Sequence, residues 1–276
     1  MRIFEKLKHQ NYSLDTIGKS DSQVLIFDDS VLKIQENNFE SQNELNTLLW
    51  LEKQNEIISP KIFDSEIIDN KLYILMSKIQ NEVTENKNDF TMACDEYFLN
   101  NENLLTEMIS KILNNIWNLD ISNCPSNHNL ERKLLQAEFN VKNNLIDIED
   151  CQEETFSTNN KKGKFENPQE LLNWLKENKP TINEKEKCFS HGDFCLPNIF
   201  FNKTNKNNFG IIDVGRAGII DIWNDIAICY RSLRDNTTGI YGKGKYKFDE
   251  NLFFQKLKIK PDWKKINYYI LLDELF

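Results

Sequence analysis

The feature that most constrains this chain is a change of hydrophobic period just after Met76. Before it, short apolar runs between turn residues read as strands around one helix; after it, apolar residues recur mostly at helical spacing. Residues 22–27 and 31–34 flank Asp28-Asp29-Ser30 and read as a hairpin. Leu45, Leu48, Leu49 and Glu52 recur at helical spacing, with Asn43 as the expected cap and Pro60 closing the region. Ile62-Phe63 and Ile67-Ile68 are expected to flank a bend, and residues 72–76 form a strongly apolar strand. Beyond a polar stretch at 80–91, residues 104–119 carry the pattern of an amphipathic helix. Further helices are expected over 130–146, around Leu171, Leu172 and Leu175, and over 222–233, 248–257 and 262–275, with a long loop at 149–168. Strands with one helix, then mostly helices, imply an α+β fold of two lobes. Residues 1–78 would be a mainly antiparallel lobe with one helix. Residues 79–276 would be a larger helical lobe, including helical subdomains at about 125–182 and 245–276.

The chain of 276 residues is 39% apolar and 28% charged, which fits a soluble globule and excludes a disordered tail. Its 43 acidic and 34 basic residues leave a net charge of −9. That sign argues against nucleic acid and anionic lipid as partners, and suits either a cationic ligand or simple solubility. The six cysteines include no CxxC pair and no zinc-like Cys/His spacing, so reduced thiols are expected. No run of about 18 apolar residues is present, and MRIFEKLKHQ lacks a signal-peptide core. The expectation is a cytoplasmic protein, monomer or homodimer, with no membrane contact.

Chemistry concentrates in Ser190-His191-Gly192-Asp193-Phe194-Cys195-Leu196-Pro197-Asn198-Ile199-Phe200-Phe201, followed by Gly210-Ile211-Ile212-Asp213-Val214-Gly215-Arg216. A carboxylate, an amide five residues on, and a second carboxylate after an apolar strand form a phosphoryl-transfer set. That reaction needs an oriented nucleophile, divalent cations across the phosphates and charge stabilisation. Asp193 would orient the attacking hydroxyl. Asn198 and Asp213 would hold Mg²⁺ through hard oxygen ligands. The pattern resembles the protein-kinase set of H-R-D-x-x-x-x-N followed by D-F-G, with Gly192 in place of the arginine.

Three longer segments resemble the aminoglycoside 3′-phosphotransferase family: HGDxxxxNIFF, GIIDVGRAGxxDxWxDIAxCxRS, and KPDWxKIxYYILLDELF at the C-terminus. LLWLE at 48–52 and ISNCP at 121–125 extend the similarity over nearly the whole chain, weakly between about 80 and 180. The resemblance implies a kinase-like fold with a five-stranded N-terminal sheet. It also implies transfer of the γ-phosphate of ATP, or of GTP, to the 3′-hydroxyl of an aminoglycoside with Mg²⁺, and so antibiotic resistance. It places Lys33 on the α/β-phosphates with Glu44 as its partner, Ser20 in the loop over the nucleotide, and Met76, Lys78 and Ile79 around the adenine slot. By themselves, Lys33 reads equally as an edge-strand lysine and Glu44 as a solvated helix charge. Val31 stands where some relatives carry an aromatic residue against the base.

The drugs of that family are polyamines, which clustered carboxylates would hold. Glu153 and Glu154, with Glu149 and Asp150, are either a drug-facing wall or a solvated loop. The resemblance assigns drug contact to Asp273, Glu274 and the terminal Phe276, and assigns Arg216 and Arg231 to ordering carboxylates. Asp235 replaces a family Glu and Asn236 a family Asp, so one negative charge is lost near the drug. Two other readings stay open: a kinase for choline, a sugar or a macrolide, and a non-catalytic binder of drug or nucleotide.

Overall fold

The computed structural model describes residues 2–14, 22–54, 57–79, 90–126, 128–146, 165–241, 244 and 247–276. Its first part is a five-stranded antiparallel sheet in the order β1-β2-β3-β5-β4. The strands are β1 (Ser13–Leu14), β2 (Gln23–Ile26), β3 (Ser30–Glu36), β4 (Ile62–Ile68) and β5 (Lys71–Ser77). The hairpin forms as the sequence implies, with Ile26 opposite Val31. Lys33 lies on β3 at the middle of the sheet and is buried, so the edge-strand reading fails. The bend expected between residues 63 and 67 is instead one continuous strand, irregular only between Ile62 and Asp64. Helix α1 (Arg2–Leu7) closes one face: Ile3 is fully buried, and Arg2 and Lys6 both reach Asp64.

Helix α2 (Phe39–Leu51) starts earlier than its apolar spacing implies. Asn38 is its cap, accepting from Ser41 N at 2.9 Å, while Ser41 Oγ accepts from Asn38 N at 3.0 Å. This reciprocal box satisfies two orphan donors at the helix start, and Asn43 is left as an interior residue. The helix ends at Leu51, well before Pro60.

The second part is mainly helical. Helices α3 (Glu96–Leu99) and α4 (Glu102–Trp117) follow β6 (Phe90–Met92). Ile109, Ile112, Leu113 and Ile116 of α4 are all fully buried, and each such side chain contributes about 1.5–3 kcal/mol. Helix α5 (Leu130–Lys142) stops short of the expected residue 146. Pro168, expected in a loop, opens α6 (Pro168–Glu177), because a first-turn proline forfeits no helical bond. Strands β7 (Lys187–Ser190), β8 (Ile199–Asn202), β9 (Phe209–Ile211) and β10 (Gly218–Asp221) carry the motif loops. β7 pairs with β10, and β8 lies between β6 and β9. Helices α7 (Ile222–Thr237), α8 (Glu250–Leu257) and α9 (Trp263–Asp273) complete the chain. One large core runs from Leu48 and Trp50 through α4 to Tyr268 and Leu275. Among the described residues, no helix is long and apolar enough to cross a membrane.

Candidate active site

Two tight pairings aim the motif loops at one cleft. Asp193 follows β7 and Asp213 follows β9; Ile212 N donates to Asn198 O at 3.0 Å, clasping the two loops together. His191 Nε2 lies 2.9 Å from Ile212 O, so the histidine ties the loops together. Gly192 has φ of +84°, and a Cβ there would stand 1.8 Å from Arg216 O. Any side chain would drive the loops apart, which is the physical reason glycine stands where protein kinases carry arginine.

The side chains then converge. Asn198 Nδ2 donates to Asp193 Oδ2 at 3.0 Å and to Asp193 O at 3.1 Å. Lys33 Nζ lies 2.8 Å from Glu44 Oε1 and 2.6 Å from Asp213 Oδ1. Burial works against the Lys33 charge, yet Glu44 and Asp213 together hold its pKa well above the ordinary lysine value. Gln35, two residues along the same strand face, donates to the other Glu44 oxygen at 2.7 Å. Asp213 adopts φ of +56°, an uncommon conformation for a residue other than glycine. Its side chain is half-exposed to the cleft while Lys33 and Glu44 are buried. The cleft has a volume of about 810 Å³, and Lys33, Glu44, Asp193, Asp213, Arg216 and Phe276 all line it.

A buried carboxylate braces this arrangement from behind. Asp225 on α7 accepts from Ser190 Oγ at 2.7 Å, Trp117 Nε1 at 3.1 Å, and the backbone N–H groups of His191 and Gly192 at 3.3 Å. Burial raises its pKa, opposed by His191 and by these donors. Sequence reasoning missed Asp225, although an acidic residue among Trp223, Ile226 and Ile228 on an apolar helix was a legible signal. It also missed His128, which is buried, packs against Gly218 and has Nδ1 3.1 Å from Arg216 O. Burial, and then Lys133, push the His128 pKa down to about 3, so it stays neutral. Burial and the nearby Asp193 charge push the Cys195 thiol well up, in accord with a packing role for that residue.

The other expected residues fall in two groups. Met76 is buried on β5 directly opposite Val31, and Ile79 packs on Gly210, where a Cβ would come within 2.7 Å of it. Met76, Lys78 and Ile79 do not line the cleft that holds Lys33 and Asp193. Arg231 binds both Asp273 and Glu274, and Arg216 Nη1 lies 3.6 Å from Asp273 Oδ1. Burial would raise the Asp273 pKa, but Arg231, Arg216 and Lys133 hold it below the usual carboxylate value. Arg216 also pairs with Glu40 of α2 at 3.1 Å, and its guanidinium stands 5.1 Å from the Phe276 ring centre. Asp235 pairs with Arg234 at 2.6 Å and is buried. Ser20, Glu153 and Glu154 lie outside the described residues.

A strand lysine paired with a helix glutamate, a loop Asp–Asn pair and a second loop carboxylate brought together at one cleft define a phosphotransferase. The chain belongs to the phosphotransferase enzyme family, whose model matches residues 20–252. It is 33% identical over 262 residues to an aminoglycoside 3′-phosphotransferase of Enterococcus faecalis, covering 94% of this chain and 87% of that protein. A relative of the same description from Staphylococcus aureus is 32% identical, covering 94% and 88%. The fold matches aminoglycoside phosphotransferase APH(3'')-Id from Streptomyces rimosus at a TM-score of 0.77 and 19% identity, over 99% of this chain and 95% of that one.

Proposed function

We propose that this enzyme transfers the γ-phosphate of ATP to the 3′-hydroxyl of an aminoglycoside with Mg²⁺, and so confers antibiotic resistance. The observation that carries the reading is the convergence of Lys33, Asp193 and Asp213 on one cleft, with Asn198 bonded to Asp193. Asp193 accepts a hydrogen bond from the incoming hydroxyl and orients its oxygen toward the γ-phosphorus. Asn198 fixes the Asp193 carboxylate, so little orientational freedom is lost on binding. Lys33, held by Glu44, reaches the α/β-phosphates and leaves Asp213 for that purpose. The Asn198 amide and the Asp213 carboxylate fit Mg²⁺, because both offer hard oxygen donors on loops clasped by the Ile212–Asn198 bond. When bound, the cation would supply positive charge across the phosphate oxygens. Met76 and Val31, paired across β5 and β3, together with Lys78 and Ile79, would border the base, and Ser20 the phosphates. GTP would be accepted where that slot is wide enough.

On the drug side, Arg216 and Phe276 line the cleft, and the Arg216–Asp273 contact links it to Glu274 and Arg231. We assign Asp235, Asp273, Glu274 and Phe276, with Glu153 and Glu154, to the wall that receives drug amines, and Arg216 and Arg231 to ordering it. The boundary between the nucleotide and drug lobes is placed after residue 78. A cytoplasmic location, where ATP is supplied, and a monomer or homodimer complete the proposal.

The test is Mg²⁺-dependent ADP release from folded protein with kanamycin or neomycin, followed by mass spectrometry and NMR of the product. No stimulation by any aminoglycoside would reject the substrate. Stabilisation by choline, a sugar or a macrolide in a thermal-shift screen would redirect the reading to that substrate. Tight drug binding with no phosphorylated product would leave only a binder.

A further inference from the structure

Asn43 projects from the middle of α2, one residue before Glu44, and is buried. Its Nδ2 donates to Gly215 O at 2.7 Å and to Ala217 O at 2.8 Å. These carbonyls belong to the turn that follows Asp213, more than 170 residues away in sequence. An amide nitrogen carries two hydrogens, so both are spent on this turn. The neighbouring Glu40 pairs with Arg216, the residue between the two carbonyls, at 3.1 Å. Residues 40, 43 and 44 share one face of the helix, so Glu40, Asn43 and Glu44 act as a single contact surface. Glu44 reaches the Asp213 loop through Lys33, and Asn43 reaches it directly. Gly215 makes the approach feasible: a Cβ there would meet Glu40 Cγ at 2.9 Å.

We propose that Asn43 is a positioning residue for the Asp213 turn. Its paired donors fix Asp213, in its unusual left-handed conformation, at the height of the Lys33–Glu44 pair. Three features support this over simple packing. The two bonds are short, they run across the junction of the sheet and the helical part, and they end on carbonyls within four residues of Asp213. A side chain that only filled space would not need two donors. The inference rests on the reading of Asp213 as a Mg²⁺-facing ligand in a phosphotransferase, and extends it to a residue that never touches nucleotide.

The polarity of the side chain decides the matter. Asn43→Asp keeps the shape and turns donors into acceptors facing two carbonyl oxygens, whereas Asn43→Ser is smaller but keeps one donor. Both are to be compared with the native enzyme by circular dichroism, thermal melting, fluorescent-nucleotide binding with and without Mg²⁺, and steady-state kinetics. The expected result is a loss of Mg²⁺-enhanced nucleotide affinity and of kcat, roughly 5–30-fold for two lost hydrogen bonds in Asn43→Asp, and less in Asn43→Ser. Nucleotide affinity without Mg²⁺ and KM for aminoglycoside should change little. The proposal is overturned if folded Asn43→Asp shows native Mg²⁺ enhancement and kcat. It is overturned equally if both variants fail to fold, or if the smaller Ser variant loses more than the isosteric Asp, because the role is then structural. A native enzyme without phosphotransfer would instead reject the functional reading, and Mg²⁺-dependent nucleotide binding would still be scored between the variants.

Discussion

Asp193, Asn198 and Asp213 come from one stretch of chain, 193–213, whereas the rest of the cleft lining comes mainly from β3, α2, α5, the turn at Arg216 and Phe276. In the first region many ties stay within the same stretch of chain, from 5 residues apart for Asn198 and Asp193 to 21 for His191 and Ile212, with Ile212 on Asn198 between them. In the second, carboxylates and arginines from distant segments neutralise one another. Arg231 holds Asp273 and Glu274, Arg216 holds Glu40 and Asp273, and Asn140 of α5 donates to Leu275 O at 2.9 Å. The Asp193 and Asp213 loops are thus clasped to each other within one stretch of chain and braced from outside by Asp225, Lys33 and Asn43 through hydrogen bonds, whereas the proposed drug wall is held chiefly by charge pairing between distant segments. Substitutions in the first should act on turnover and those in the second on drug affinity or stability.

The sharpest break would come at Asp193. Asp193→Ala should lower kcat by about 10²–10⁴-fold if this carboxylate orients the hydroxyl, with both KM values little changed. A near-native rate in an ADP-release assay would remove Asp193 from the mechanism. Lys33→Met should raise KM for ATP by roughly 10–100-fold, through loss of charge-assisted bonds, and leave KM for the aminoglycoside nearly unchanged. An equal rise in both would erase the distinction between the two regions.

Asp225→Asn retains the size of the brace but weakens its charged acceptor. Chemical denaturation should show a loss of about 1.5–3 kcal/mol. An unchanged midpoint would mean that the loop stands without it.

Lys133 tests the wall through pH. It is buried on α5, 5.5 Å from the Phe276 ring centre. Burial, then Arg216, lower its pKa to about 8, against the opposing charges of Asp273, Glu40 and Asp225. In the unfolded chain a lysine titrates near 10.4. Between about pH 8 and that value the unfolded state binds more protons, so stability should rise with pH in this window and level off above it. Lys133→Met should abolish the rise and be the more stable protein at pH 7. An identical slope in the two proteins, followed by thermal melting across pH 7–10.5, would show that the lysine is not the titrating group.

The smallest effect is expected at the terminus. Deleting Phe276 removes a ring that both Arg216 and Lys133 approach, and should raise KM for drug a few-fold and KM for ATP less. A larger change in KM for ATP would place the tail on the nucleotide side.

Features set by neighbours in the chain could be read before the chain was folded. The β2–β3 hairpin, the amphipathic α4 and the motif loops all follow from local apolar period and turn chemistry. Asp193, Asn198 and Asp213 were recognisable because phosphoryl transfer calls for those residue types in that order, whereas Lys33 and Glu44 were pointed to only by the family resemblance. Tertiary structure alone decided the rest. Asn43, read as a cap, became a tie between distant segments, because Asn38 and Ser41 had already satisfied the helix start. Lys33 became a central rather than an edge residue through strand order, which a single strand does not encode. The charges of Asp273 and Glu274 were legible, but their pairing with Arg231 was not, since a carboxylate finds its partner only after the chain has brought the two together.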